Sequence, residues 1–351
     1  MRPPEVLVAG GGLAGGAAAL LLARQGRRVL LLEREAAPAH KVCGEFLSPE
    51  GAAVLAGLGL PPEALGGAPI ERLRLAAGRW DAGAALPFRA WGLSRRGLDA
   101  RLLNAAAAAG AEVRRGALVR EVTPDGAVRL ADGARLRGGR TLLATGKHAL
   151  RGWARQPGRP MLGFKMHLRL APGEARALEG HVELHLLPGG GYAGLQLVED
   201  GVANLCWLLR AGGPQLPRPP GTLLARRLAG AAPLWPRPLA VARVPYGHLH
   251  APEPGEQVFR LGDQAAVTPS FTGDGMAIAL HSAALAAAMV EGGAPAFHAA
   301  LRRDAGPQLR RAGLLLGMLG PPAVWAARLL PGLLGWGAAW TRLPAAAPRA
   351  P

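Results

Sequence analysis

The sequence predicts an α/β fold in which a parallel-stranded nucleotide-binding domain is interrupted by an antiparallel sheet and closed by C-terminal helices. Three observations carry this. A short apolar strand at the N-terminus runs into a glycine-rich turn and an Ala- and Leu-rich helix, strand-length alternating segments fill residues 160–250, and proline-separated apolar stretches follow residue 300. We assign 1–158 and 251–300 to the nucleotide domain, 159–250 to the sheet domain and 301–345 to a helical cover, with strands inside 70–90 able to belong to the sheet domain.

Residues 5–9, EVLVA, form the first strand, and Gly10-x-Gly12-x-x-Gly15 follows at once. Gly10 permits the tight turn, Gly12 lets backbone approach a pyrophosphate, and Gly15 lets helix and strand pack closely. The helix runs through Gln25, with its first N–H groups facing phosphate charge. A second strand, 28–32, ends in Glu33, 23 residues after Gly10, where a carboxylate can accept ribose hydroxyls. Strand, turn, helix, strand and acid in that order make a dinucleotide site. They do not separate FAD from NAD, which share an ADP half.

After a loop containing Lys41-Val42-Cys43-Gly44-Glu45, the pattern predicts a helix over 48–58, strands at 70–75 and 85–90, and a helix over 98–109 with Asp99 in its first turn. Strands are expected at 112–122, 126–130, 134–137 and 140–144, with turns at Pro124-Asp125-Gly126 and Asp132-Gly133. GFKMHLRL, HVELHLL, YAGLQLV and VANLCWLL are the sheet-domain strands, and 222–228 is a short helix. Residues 257–261 return as a strand to GDQAAVTPSFTGDGMAIAL, a second glycine-containing loop that opens a long helix. Two such loops suit one extended dinucleotide better than the NAD of a simple dehydrogenase.

Composition narrows the class. Half of the 351 residues are hydrophobic, so disorder is not the reading. The 41 Lys and Arg against 24 Asp and Glu give +17, attractive to nucleotides, anionic lipid or acidic partners. No zinc-finger spacing and no basic face with interleaved aromatics argue against nucleic acid. Two cysteines cannot build a disulfide framework, and the absence of a leader pattern leads us to expect a cytoplasmic protein, with an optional peripheral contact to the inner face of a membrane.

The combination of GGGLAGG, RRGLD and GDQAAVTPSFTGDGMAIAL resembles the FAD-dependent oxidoreductases that include aromatic hydroxylases, flavin halogenases and geranylgeranyl reductases. The Cys-Gly loop looks most like the reductase branch. The resemblance spans roughly residues 5–345 and implies a Rossmann-like FAD-binding domain. It implies that Gly10, Gly12, Leu13, Ala14, Gly15, Glu33 and Arg34 hold the ADP half, and that Arg95 and Val119 lie against the cofactor as well. Gly262 and Asp263 would meet the ribityl or pyrophosphate region, and Pro269, Gly273, Asp274, Gly275 and Met276 would pass along the isoalloxazine. Two departures matter. Ala144-Thr145-Gly146-Lys147-His148 stands where hydroxylases usually carry Asp-Gly, and the W-x-W-x-I-P signature of halogenases is missing, which argues against halogenation.

Four residues are candidates for chemistry. Cys43 could polarise substrate or give a proton, or simply pack as a small hydrophobe. Glu45 could act as acid or base if burial raises its pKa, or bind its own loop. Lys165 shares a strand face with His167 and could contact an anionic or phenolic substrate, and Tyr192 follows three glycines as a pocket wall. Phe271 and Met276 are expected to shape the pocket. His167, His181 and His185 read as solvated strand residues, and no metal spacing is recognisable.

These observations predict an FAD-dependent oxidoreductase acting on a small apolar or aromatic molecule. Hydroxylation with O2 leads, and reduction or dehydrogenation of a carbon–carbon bond in a polyprenyl or other lipid-like substrate is the alternative. With no second nicotinamide fingerprint, electrons come from NAD(P)H docking transiently or from a separate reductase. A flavin- or lipid-binding protein without turnover remains a third reading. Trp325, Trp336 and Trp340 among scattered arginines suit a cover over the substrate site, alone or with membrane-surface contact.

Overall fold

The computed structural model describes residues 3–148, 150–155, 161–210 and 215–343. A five-stranded, all-parallel sheet runs in the order Val258–Arg260, Arg140–Leu143, Val6–Ala9, Val29–Glu33, Glu112–Arg115. Its central strands are apolar throughout because both faces are covered. Val6, Val8, Val29, Leu31 and Leu142 pack under the helices Leu13–Arg24, Arg95–Ala108 and Gly275–Met289. Leu7, Ala9, Leu30, Leu32 and Leu143 point the other way, onto Trp153 and a three-stranded antiparallel meander of Val119–Val122, Val128–Leu130 and Arg135–Leu136. The strand expected over 112–122 is therefore two strands: Gly116, at φ 72°, breaks it and sends the chain from the parallel sheet to the meander.

The second sheet has nine strands and is largely antiparallel. Met161–Arg169, Ala203–Leu209, Gly191–Leu197 and Gly180–Leu186 lie side by side, antiparallel where they pair with one another. Ala68–Ala77 and Trp80–Gly92, longer than their sequence pattern predicts, extend this sheet and not the parallel one. Ala68–Ala77 joins it through a parallel pairing to Gly180–Leu186, the one such pairing in this sheet among the described residues.

The C-terminal stretch forms Ala294–Met318, which carries Pro307 inside it, then Pro321–Leu329 and Gly332–Trp340. The breaks fall at Pro321-Pro322 and Pro331, as the sequence predicts, because proline starts helices well and continues them badly. The two short helices rest on Trp80–Gly92. Among the described residues, no single helix is long and apolar enough to cross a membrane.

Candidate active site

The N-terminal turn is fixed by backbone contacts that only glycine allows. A Cβ on Gly15 would stand 1.8 Å from the Gly10 carbonyl oxygen, and one on Gly10, at φ 111°, would stand 2.4 Å from that of Ala144. Gly12, which caps the Leu13–Arg24 helix, is different: the nearest atoms to a Cβ there are Arg95 Nη2 at 3.2 Å and Lys41 Nζ at 3.7 Å. A helix N-terminus flanked by two cations is an anion site.

Those cations are held by carboxylates. Arg95 donates from Nε and Nη2 to the two oxygens of Asp99 at 2.9 and 3.0 Å, and Lys41 lies 3.1 Å from the same group. Asp99 sits one turn inside its helix, which begins at Arg95 instead of Leu98, so it serves as an i,i+4 partner and not as a first-turn dipole charge. Burial opposes the charge on Arg95, and Asp99 outweighs it, leaving its pKa raised. Ser94 caps the helix by accepting from the Gly97 N–H. Glu33 accepts from the backbone N–H groups of Gly11 at 2.7 Å and Glu35 at 3.0 Å, which ties the end of the second strand to the glycine turn.

The Cys43-Gly44-Glu45 loop is pinned to the nine-stranded sheet. Glu45 is fully buried with φ 57°, a conformation rare outside glycine, and its carboxylate and carbonyl oxygens are all engaged. Its carboxylate pairs with Lys165 Nζ, meets His167 Nε2 at 2.6 Å, and accepts from the Arg95 backbone N–H at 2.7 Å. Gln196 donates to the Glu45 carbonyl at 2.8 Å, and Asn204 to those of Gly44 and Cys43 at 2.7 and 3.2 Å. Burial alone would raise the Glu45 pKa. Lys165 and His167 outweigh it, so the carboxyl is held below its ordinary range and not raised, contrary to what a proton donor needs. The expected solvated histidines are also corrected: His167 and His185 are buried, each on a buried carboxylate, His167 on Glu45 of the loop that crosses its strand and His185 on Glu183, two residues away on its own strand.

Both glycine-rich loops and the sheet face one cavity of about 690 Å³, within the range of small-molecule sites. Cys43, Arg95, Lys147 and Asp263 are at its polar end. The Lys147 ammonium lies 3.3 Å from Asp263; burial disfavours its charge, but Asp263 outweighs this and the pKa is raised. Leu75, Leu86, Phe88, Leu184, Leu208 and Phe271 supply apolar walls. Tyr192 and Tyr246 also line it, and their hydroxyls converge on Ser270 Oγ at 2.6 and 2.7 Å. Burial pushes the Tyr192 phenol up to about 12, so it stays protonated.

The second loop is shaped by Gly273, at φ 76°, where a Cβ would meet the Phe46 ring at 2.3 Å. Asp274, fully buried, accepts from Arg342 Nη2 at 3.0 Å, which ties the loop to the last described turn of the chain. Burial, with Arg342 opposing it, raises the Asp274 pKa to about 6.

Of the residues singled out from sequence, Gly12, Leu13, Ala14, Cys43, Glu45, Arg95, Tyr192, Gly262, Asp263, Gly273, Gly275 and Met276 line the cavity. Gly10, Gly15, Glu33, Pro269 and Asp274 stand behind that lining. Lys165 is fully buried on Glu45 and reaches no substrate space, so a direct substrate contact is corrected to an internal ion pair. Val119 packs with Leu7 and Leu30 on the far face of the parallel sheet, and Arg34 lies at the surface on Glu35. Ser270 and Arg342 were not found from sequence, Lys147 was given no site role, and Asp99 was read as a first-turn dipole charge and not as the partner of Arg95 and Lys41. Lys147 and Asp99 carried a signal, the first as the cation in place of the familiar Asp-Gly and the second as the acid that ends RRGLD.

His40 Nδ1 is buried without a partner beside His167 and Glu45, the three having ligand-type atoms within 4.8 Å of one another. Lys165 already occupies the Glu45 carboxylate, so this trio is an ion-pair cluster with no free carboxylate to offer a cation. His250, Glu256 and His298 form a second trio, in which His298 Nε2 accepts from the Arg260 N–H and Nδ1 faces Glu256.

Residues 4–141 match the family described as FAD binding domain. No curated protein sequence matches the chain. Among solved structures, the halogenase PltM in complex with ethyl mercury and mercury superposes with a TM-score of 0.74 at 15% identity, over 90% of this chain and 75% of that one. PltM with phloroglucinol and FAD gives 0.71 at 14% identity, over 88% and 74%. P. aeruginosa PqsL in complex with 2-aminobenzoylacetate gives 0.68 at 21% identity, over 93% and 100%. The chain therefore has the fold of these proteins: a Rossmann-like sheet carrying an FAD-binding-domain sequence, an inserted, largely antiparallel sheet and C-terminal helices.

Proposed function

We propose that this chain is an FAD-dependent oxidoreductase acting on a small apolar or aromatic molecule, with hydroxylation by O2 as the leading reaction. The observation that carries this reading is the single cavity onto which both glycine-rich loops open, polar where Gly12, Arg95 and Lys147 meet it and apolar across the sheet. The residues fit FAD: the position a Cβ would take on Gly12 faces two cations, as a pyrophosphate requires, and Gly273 and Gly275 leave bare backbone at two positions where the second loop lines the cavity. Gly10, Gly12, Leu13, Ala14 and Gly15 would hold the phosphates with Arg95, and Glu33 the adenosine ribose. Gly262, Asp263 and the 269–276 loop would hold the other half. FAD, when bound, supplies two-electron redox chemistry.

The chain's own contributions follow from the geometry. The apolar walls exclude water from the reacting region. Arg95 and Lys147 place positive charge at the polar end, where negative charge on a reduced cofactor or a phenolate substrate is stabilised. Glu45, Lys165 and His167 act as positioning residues, holding Cys43 and the first residue of the Arg95 helix. PltM, seen with phloroglucinol and FAD, and PqsL, seen with 2-aminobenzoylacetate and described as a probable FAD-dependent monooxygenase, support an aromatic substrate. Halogenation is not proposed, since the tryptophan signature is missing.

A second reading is reduction or dehydrogenation of a carbon–carbon bond in a lipid-like substrate, as in the geranylgeranyl reductase-like branch. Cys43 favours it: the thiol lines the cavity within the field of Arg95 and Lys147, where it could hand a proton to carbon. Electrons would come from NAD(P)H or a partner reductase.

The test is a reaction of chemically reduced, FAD-loaded protein with ¹⁸O2 and a panel of phenols, anilines and polyprenyl compounds. Product carrying ¹⁸O establishes hydroxylation. Oxidation of the reduced protein by an unsaturated acceptor under argon, with no labelled product in air, replaces it with the reductase reading. Protein that purifies without flavin and takes none up overturns both.

A further inference from the structure

We propose that the outer face of the C-terminal helices docks on an anionic lipid bilayer, with the cavity opening onto that surface. This rests on the reading of the cavity as a site for an apolar substrate. The face is apolar in a way that folding does not explain. Leu314, Met318, Leu329, Leu330, Leu333 and Trp336 are 63, 70, 79, 62, 43 and 57% exposed. Single exposed leucines are ordinary, but these six and Trp325, at 46%, make seven large exposed apolar side chains within 23 residues, which marks a contact surface.

Three of these, Met318, Leu333 and Trp336, also line the cavity. Side chains that face solvent and cavity at once lie at its mouth, so an apolar ligand leaving the site meets the patch before it meets open water.

The charge around the patch selects the occupant. From residue 305 to the end of the chain there is no Asp or Glu, while Arg310, Arg311, Arg328, Arg342 and Arg349 are present. Arg342 is engaged with Asp274, and Arg328 lies over the rings of Trp80 and Trp325, at 4.9 and 5.8 Å. Arg79 covers Trp80 from its own side at 4.8 Å. Arginines over the half-buried Trp80 and the exposed Trp325, next to exposed leucines, give the two signals that interfacial binding uses: apolar insertion and attraction to anionic headgroups. The mode is surface docking and not spanning. The Ala294–Met318 helix buries Phe297, Leu301 and Leu309 in the protein body, and the chain bends by 98° before Pro321–Leu329. A second copy of this chain would bring arginine against arginine across such a face, which disfavours self-association.

The experiment is co-sedimentation of the full-length, FAD-loaded protein with phosphatidylcholine vesicles and with vesicles containing about one third phosphatidylglycerol, beside L329E/L330E and R328E variants. Neither Leu329, Leu330 nor Arg328 lines the cavity, and flavin absorbance per chain is read in every fraction, so loss of FAD is seen separately from loss of docking. The expected result is binding to the anionic vesicles, weakened about tenfold or more in L329E/L330E with flavin content unchanged. The R328E variant should lose part of the preference for anionic lipid. Failure of the flavin-loaded protein to bind either vesicle overturns the proposal, as does binding that L329E/L330E leaves intact. A concentration-dependent dimer that L329E/L330E abolishes, without vesicle binding, assigns the face to a second copy and overturns it too.

Discussion

The wall of the cavity nearest the parallel sheet and the wall formed by the second sheet and C-terminal helices are built by opposite means. The first is backbone and charge: glycines whose added Cβ would strike carbonyl oxygens, and cations held by Asp99 and Asp263. The second is apolar side chains, from Leu75 and Phe88 to Met318 and Trp336. A wall of backbone amides and fixed cations suits a ligand of constant chemistry such as a pyrophosphate. A wall of side chains adapts to whatever substrate is carried. Between the two stands the Cys43–Glu45 loop, fixed by buried ion pairs.

The sharpest way to break this contrast is Gly15→Ala. The new Cβ would stand 1.8 Å from a backbone oxygen that cannot move aside, so FAD per purified chain should fall from near one to near zero. A Leu86→Ala change on the opposite wall should leave FAD content intact. Equal loss in both would erase the distinction between the walls.

Glu45→Ala comes next. It strands Lys165 without a counter-charge inside the protein, at a cost of about 3–5 kcal/mol in urea unfolding. A cost under about 1 kcal/mol would show that the loop is not pinned by this pair.

The tie between the second loop and the C-terminal cover has a pH signature. Asp274 titrates near 6 in the folded chain against an ordinary 3.8. Between those values the folded state holds a proton that the unfolded state has released, so the group's contribution is fully present below about pH 4 and is lost as pH rises through about 6. Compared with Asp274→Asn, the native chain should lose on the order of 3 kcal/mol of stability across that window and change little above it. A flat difference would contradict the burial of this carboxyl. The smallest effect expected is Tyr192→Phe, which removes one of the two phenol contacts to Ser270 at a cost of about 1 kcal/mol by thermal or urea unfolding.

The same contrast explains what the sequence could reveal. The backbone wall was legible because its signals are local: glycines at fixed spacing, an apolar strand on either side, an acid at the second strand end. The parallel sheet and the loop at 269–276 follow from such signals. The Glu45–Lys165–His167 cluster joins residues more than 100 apart in the chain, and strand alternation shows which residues share a face without showing what that face meets. For that reason His167 and His185 read as solvated and Lys165 as a substrate contact. The pairing of Ala68–Ala77 with Gly180–Leu186 was hidden for the same cause, and Arg342 offered no hint that it would reach Asp274.

The central claim is that the two glycine-rich loops hold one FAD, a choice over NAD that the N-terminal motif alone leaves open. Calorimetric titration of flavin-free protein with FAD and, separately, with NAD⁺ tests it most directly. One FAD per chain is expected, with NAD⁺ binding at least about tenfold weaker, since in the proposed arrangement only FAD would reach the 269–276 loop. Equal affinity for the two, or no FAD binding by correctly folded protein, would contradict it.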